Sequence, residues 1–177
     1  MTVGHILDAA RYITDLKGAF MGCDIHWYSE TKKDGKWVCD QAASFNVENE
    51  DDHVYKDMDD FPGRDRDYWW FGFIQPGVRS DWDYSFPNSD LPDDLSSEVQ
   101  QMVDQWDVDG HSHGHLTRGE FKAKLAEMAK MRTEQLINPT AESERINHFV
   151  DCLEVVLKHL TSDVADEDQR VVFWFDN

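Results

Sequence analysis

The apolar positions of this chain repeat with two different periods. In ESERINHFVDCLEVVLKHL (142–160), Ile146, Phe149, Val150, Leu153, Val156, Leu157 and Leu160 form one stripe at helical spacing, which predicts a core helix. Phe121, Leu125, Met128 and Leu136 mark a second helical face, broken by Asn138-Pro139-Thr140. A third runs through Leu95, Val99, Met102, Val103 and Trp106, with Ser97 and Gln100 spaced as a capping box. Residues 2–18 add Ile6, Ala9, Ala10, Ile13 and Leu16 before Gly18, a short first helix.

The period of two appears elsewhere. CDIHWYSE (23–30) and KWVCDQA (36–42) flank a turn carrying Asp34-Gly35, which predicts a hairpin. Alternation in its first strand sends Cys23, Ile25 and Trp27 to one face and Asp24, His26 and Tyr28 to the other. RVVFWFDN (170–177) reads as a final buried strand because it is β-branched and aromatic throughout. RDYWWFGFI (66–74) stays open between helix and strand, and residues 46–66 and 78–94 read as loops. The fold class expected is α+β, with a small antiparallel sheet of about three strands and about four helices.

Composition narrows the class. A chain of 177 residues with 40% hydrophobic and 12% aromatic residues carries enough buriable surface for one folded domain. No apolar run is long enough to span a membrane and the N-terminus lacks the order of a signal peptide, so a cytoplasmic protein is expected. Cys23, Cys39 and Cys152 have no paired spacing and are expected as free, buried thiols.

Charge changes the picture most. The formal net charge is -19 and it is unevenly placed. Residues 47–67 hold nine acids against three bases, and residues 81–109 hold nine acids and no base. Asp51, Asp52, Asp57, Asp59 and Asp60 in the first segment, with Asp90, Asp93 and Asp94 in the second, form a candidate partner-binding surface. Such a field repels nucleic acid and anionic membrane, and it attracts a basic groove on another protein. The alternative is that the acids only keep the chain soluble. Arg64, Arg66 and Arg79 lie among these acids and are expected in ion pairs.

The candidate chemistry is concentrated in DGHSHGHLTRGEF (109–121). Aligned on an EF-hand loop, Asp109 takes the first ligand position, His111 the third, His113 the fifth and Glu120 the twelfth, with Gly114 at the turn. An EF-hand-like helix-loop-helix follows from that spacing. Its chemistry disfavours calcium, because imidazole stands where hard carboxylate oxygens are needed, and it suits Zn or Mn better. If the sheet meets the loop, Asp24 and His26 add two further ligands, a set that a metal-dependent phosphoesterase or nucleotide hydrolase could use. The alternative is a turn shaped by Gly110, Gly114 and Gly119, with the histidines bonded to their surroundings. The chain has no GxGxxG, GxxxxGK[ST] or HExxH motif.

MGCDIHWYSE, the RDY segment followed by GVR, HSHGHLTRGEF and VVFWFDN together resemble a family of small proteins of tailed phages and of bacterial genomes with phage-like islands. The resemblance covers about residues 21–177 and implies a single α+β domain over 21–177, preceded by an N-terminal helical extension at 1–20. It also implies a bacterial host cell, where small acidic phage proteins work by occupying a host defence factor. Two expectations follow. One is a binding protein that inhibits a basic host protein by mimicking the negative charge of DNA, and the other is the metal-dependent hydrolase.

Overall fold

The computed structural model describes residues 22–45, 62, 66–160 and 163–176, with the backbone alone at 41–43 and 45. The helix expected at 2–18, the boundary at residue 20, most of the acidic loop, and Asp51, Asp52, Asp57, Asp59 and Asp60 lie outside the described residues.

Strands β1 (Asp24–Lys33) and β2 (Lys36–Phe45) form the expected hairpin. Its turn residues Asp34 and Gly35 have φ of 51° and 76°, the left-handed pair that suits the twist of a two-residue hairpin loop. Among the described residues four α-helices follow: α1 (Tyr68–Ile74), α2 (Ser97–Trp106), α3 (Arg118–Ile137) and α4 (Ser143–His159). Strand β3 (His111–Thr117) lies between α2 and α3, and β4 (Gln169–Asp176) closes the chain. The sheet is fully antiparallel in the order β2-β1-β4-β3, an α+β fold with one strand more than expected.

The extra strand corrects the reading of the histidine loop. Helices do flank residues 109–120, but His111–Thr117 pairs with β4 instead of winding into a calcium loop. With imidazole at the third and fifth positions, no carboxylate set draws the backbone around a cation, whereas β4 offers a full row of hydrogen-bonding groups. The outer side of β3 is covered in turn. The His115 N–H donates to Ser89 Oγ at 3.0 Å, and His115 Nδ1 lies 2.6 Å from the Asp90 carbonyl oxygen.

One face of the sheet carries the main core. Ile25, Trp27, Leu116, Val171, Phe173 and Phe175 pack against α1, α3 and α4 through Phe71, Phe73, Phe121, Met128, Phe149 and Leu153. The predicted α4 stripe is buried from Ile146 to Leu160, with Leu157 partly covered. The α3 stripe ends earlier than its periodicity suggested, since Leu136 is 76% exposed. The aromatic run at 68–74 becomes helix α1 because Asp67 caps it, accepting from the Trp70 N–H at 3.1 Å. Gly72 is required there, since a Cβ would stand 2.3 Å from the Ser80 carbonyl oxygen.

The other face is covered by α2 and the segment before it. Tyr28, Val172 and Trp174 pack against Leu91, Leu95, Val99, Met102, Val103 and Trp106. Its cap is Ser96, one residue before the serine that the spacing suggested, and Ser96 Oγ accepts from the Val99 N–H at 3.3 Å.

Candidate functional site

Two groups of polar residues carry the chemistry of the α2 face. The first begins with Glu30 on β1, opposite Arg170 on β4. Arg170 Nε donates to Glu30 Oε2 at 2.7 Å, with the side chains only 4% and 0% exposed. The second Glu30 oxygen accepts the Ser96 N–H at 2.7 Å. Arg170 reaches outward as well, donating to Asp94 Oδ1 at 2.6 Å and to the Asp94 carbonyl at 2.9 Å. Trp37 Nε1 donates to Asp94 Oδ2 at 2.9 Å, and the Arg170 guanidinium lies 3.9 Å from the Trp37 ring centre. The Arg170 bonds hold the Asp94 carboxyl below its ordinary range. A buried ion pair is stable only when its remaining bonding capacity is used, and here the charges lock the start of α2 to the sheet.

That lock presents the acidic segment. Asp81, Asp83, Asp90, Asp93, Asp94, Glu98, Asp104, Asp107 and Asp109 are all exposed, so none of the nine acids of 81–109 is withdrawn into the core. Asp94 differs from Asp90 and Asp93 because its carboxylate already holds Arg170 and Trp37.

The second group gathers around Trp174. His26 lies opposite it in the β1–β4 register, its ring centre 5.4 Å from Trp174 and 4.0 Å from Trp106. His26 is fully buried, and its Nε2 lies 3.5 Å from Asp176 Oδ2. The HSH segment reaches the same place from β3. A register shift between His111 and Gly114, with Ser112 at φ 51°, breaks the alternation. His113 therefore stacks on Trp174 and His111 on Phe175, neighbours whose side chains project to opposite faces of β4. Burial, then His111, then His26 hold His113 below its ordinary value, which favours the neutral ring. His111 Nε2 and Trp174 Nε1 are buried without a hydrogen-bond partner.

The structure thus brings His26 and His113 to one ring, Trp174, and sends His111 to Phe175, while the carboxylates of Asp24 and Glu120 are engaged elsewhere. Arg66 clasps Asp24 with two bonds of 2.7 and 2.8 Å. Glu120 accepts from the Thr117 N–H and hydroxyl, both at 2.7 Å, and closes the capping box that starts α3. Asp109 is exposed in the turn after α2, its N–H bonded to the Trp106 carbonyl at 2.9 Å.

A third cluster was not among the sequence candidates. Asp67, at the start of α1, meets His148 and Cys152 of α4, and the ligand-capable atoms of the three lie within 4.8 Å of one another. The spacing His148-x-x-x-Cys152 was a visible signal, since residues four apart share a helix face. Its partner Asp67 lies 81 residues earlier and could not be read from spacing.

Among the described residues no helix is long and apolar enough to cross a membrane. No family model, curated protein or solved structure matches this chain.

Proposed function

We propose that this protein is a small, acidic, phage-type accessory protein that acts without catalysis, occupying a basic surface of a bacterial host protein. The observation that carries the reading is the acidic segment itself. Nine exposed acids line α2 and its flanks with no base among them, on an element pinned to the sheet by Glu30, Arg170 and Asp94. A pinned array of carboxylates offers a basic groove fixed negative charge without the ordering cost of a mobile tail. A host nuclease or other nucleic-acid-binding defence factor has such a groove, and the array would compete there as a mimic of DNA charge. The same charge disfavours direct nucleic-acid and membrane contact.

The structure refines which acids to test. Asp90, Asp93, Asp104 and Asp107 are exposed, whereas replacing Asp94 would also release Arg170. Affinity capture from a bacterial lysate with wild-type protein, at low and high salt, is the direct experiment, repeated with Asp90, Asp93, Asp104 and Asp107 changed to Asn. A partner with a basic surface, retained at low salt, released at high salt and lost by the variant, is expected, because surface charges are screened over ~8 Å at physiological ionic strength. Capture indifferent to salt and to the four substitutions would remove the reading.

A further inference from the structure

Asp67, His148 and Cys152 converge between the start of α1 and the middle of α4. His148 Nε2 lies 2.6 Å from Asp67 Oδ2 and 3.5 Å from Cys152 Sγ, while Nδ1 lies 4.0 Å from the same sulfur. Each side chain is held in place by something else. Asp67 Oδ1 accepts the Trp70 N–H, which leaves Oδ2 turned to the histidine. Cys152 is 7% exposed within the packed stripe of α4, and His148 lies against Phe149 and edge-on to Trp69. His148 and Asp67 remain open to solvent on one side, with side chains 34% and 23% exposed.

We propose that Asp67, His148 and Cys152 form a zinc site, in which Zn²⁺ takes Asp67 Oδ2, a ring nitrogen of His148 and the Cys152 sulfur, with water at the fourth position. The donor set is the argument. A thiolate with an imidazole selects a borderline-soft cation over Mg²⁺ or Ca²⁺, which prefer oxygen alone. Bonds of about 2.0–2.3 Å place tetrahedral ligand atoms about 3.3–3.8 Å apart, within reach of the observed separations by side-chain rotation. Asp67 and an ionised Cys152 together match the charge of the ion, and Asp151 adds negative potential near His148. When Zn²⁺ takes Nε2, the proton that Nε2 shares with Asp67 moves to Nδ1, or to solvent if the ring was charged, and the Cys152 proton leaves to solvent; the ion then ties α4 to the start of α1 across 81 residues of chain.

This proposal is independent of the acidic surface, and its test involves no partner. The full chain, stripped with chelator, is titrated with Co²⁺ and then Zn²⁺. Burial pushes the free Cys152 thiol up, so a thiolate band that appears on adding metal reports a new bond to sulfur. The expected result is one Co²⁺ per chain with a thiolate-to-cobalt charge-transfer band, displaced by Zn²⁺, and a melting temperature that rises with Zn²⁺. Cys152→Ser abolishes the band. Asp67→Asn keeps the helix cap, since Asn caps as well as Asp, and weakens Zn²⁺ binding by roughly tenfold or more. That second variant decides the matter if Cys152→Ser fails to fold. No metal uptake by the wild-type chain overturns the site. So does a band that survives Cys152→Ser, or Co²⁺ bound without any thiolate band, which would move the ion to the histidines around Trp174.

Discussion

The two faces of the sheet are built from alternate residues of the same strands, yet they are stabilised differently. On the face toward α1, α3 and α4, Ile25 meets Phe175 and Trp27 meets Phe173, and the contacts are apolar. On the face toward α2, His26 meets Trp174, Tyr28 meets Val172 and Glu30 meets Arg170. The first face is held by volume over most of its area, with a buried polar network of Thr31, Gln169 and Arg118 at one end, while the second depends on a buried ion pair that fixes its covering helix. On the second face a buried ion pair fixes the position of α2 and the segment before it.

The strongest way to break this comparison is Glu30→Ala. Removing Glu30 strands the Arg170 guanidinium and frees the Ser96 N–H, and losing one partner of a buried pair costs about 3–5 kcal/mol. Urea denaturation measures it, and a loss under about 1 kcal/mol would mean that Asp94 alone satisfies Arg170. A smaller effect is expected on the apolar face. Ile146→Val removes one buried methylene from α4 and should cost about 0.5–1.5 kcal/mol by the same measurement. A cost equal to that of Glu30→Ala would erase the distinction between the faces.

The smallest effect sharpens the comparison through pH. The hydrogen bond that His148 donates to the Asp67 carboxylate holds His148 above its ordinary value of 6.5, against burial, whereas burial and two neighbouring imidazoles hold His113 below 6.5. A raised value means that His148 contributes stability in full below 6.5 and loses it as pH rises through the folded value. A lowered value means the reverse for His113, whose contribution is present above 6.5 and lost as pH falls through the folded value. In chelator-treated protein, His148→Gln should therefore lower the melting temperature more at about pH 5.5 than at about pH 8, and His113→Gln more at about pH 8 than at about pH 5.5. PH trends of the same sign in both variants would show that the two environments do not differ as their neighbours imply.

Much of the frame was legible. The α4 stripe, the Asp34-Gly35 turn, the aromatic last strand and the division of Asp24, His26 and Tyr28 from Cys23, Ile25 and Trp27 follow from local spacing, and each is local in cause. The elements misread or left undecided have non-local causes. HSHGHLT has little intrinsic strand preference, and it becomes β3 because β4 has a second edge to fill. RDYWWFGFI has apolar residues in every direction, so only its Asp67 cap and its packing select a helix. Ser96 caps α2 in place of Ser97 because its N–H must also reach Glu30.

The candidate site divides along the same line. The exposed acids of 81–109 were readable because charge stays in water unless something specific compensates it. The fate of each candidate ligand was not, because Arg66 claims Asp24, the α3 cap claims Glu120, and a bulge at Ser112 separates His111 from His113. The periods, the direction each side chain takes from a regular strand or helix, and the sign of the surface charge follow from the sequence. Tertiary structure alone decided that Glu30 meets Arg170 and that Asp67 meets His148. The physical reason is that a side chain's direction is set by a few adjacent dihedral angles, whereas the distance between two side chains on different elements is set by how the whole core packs.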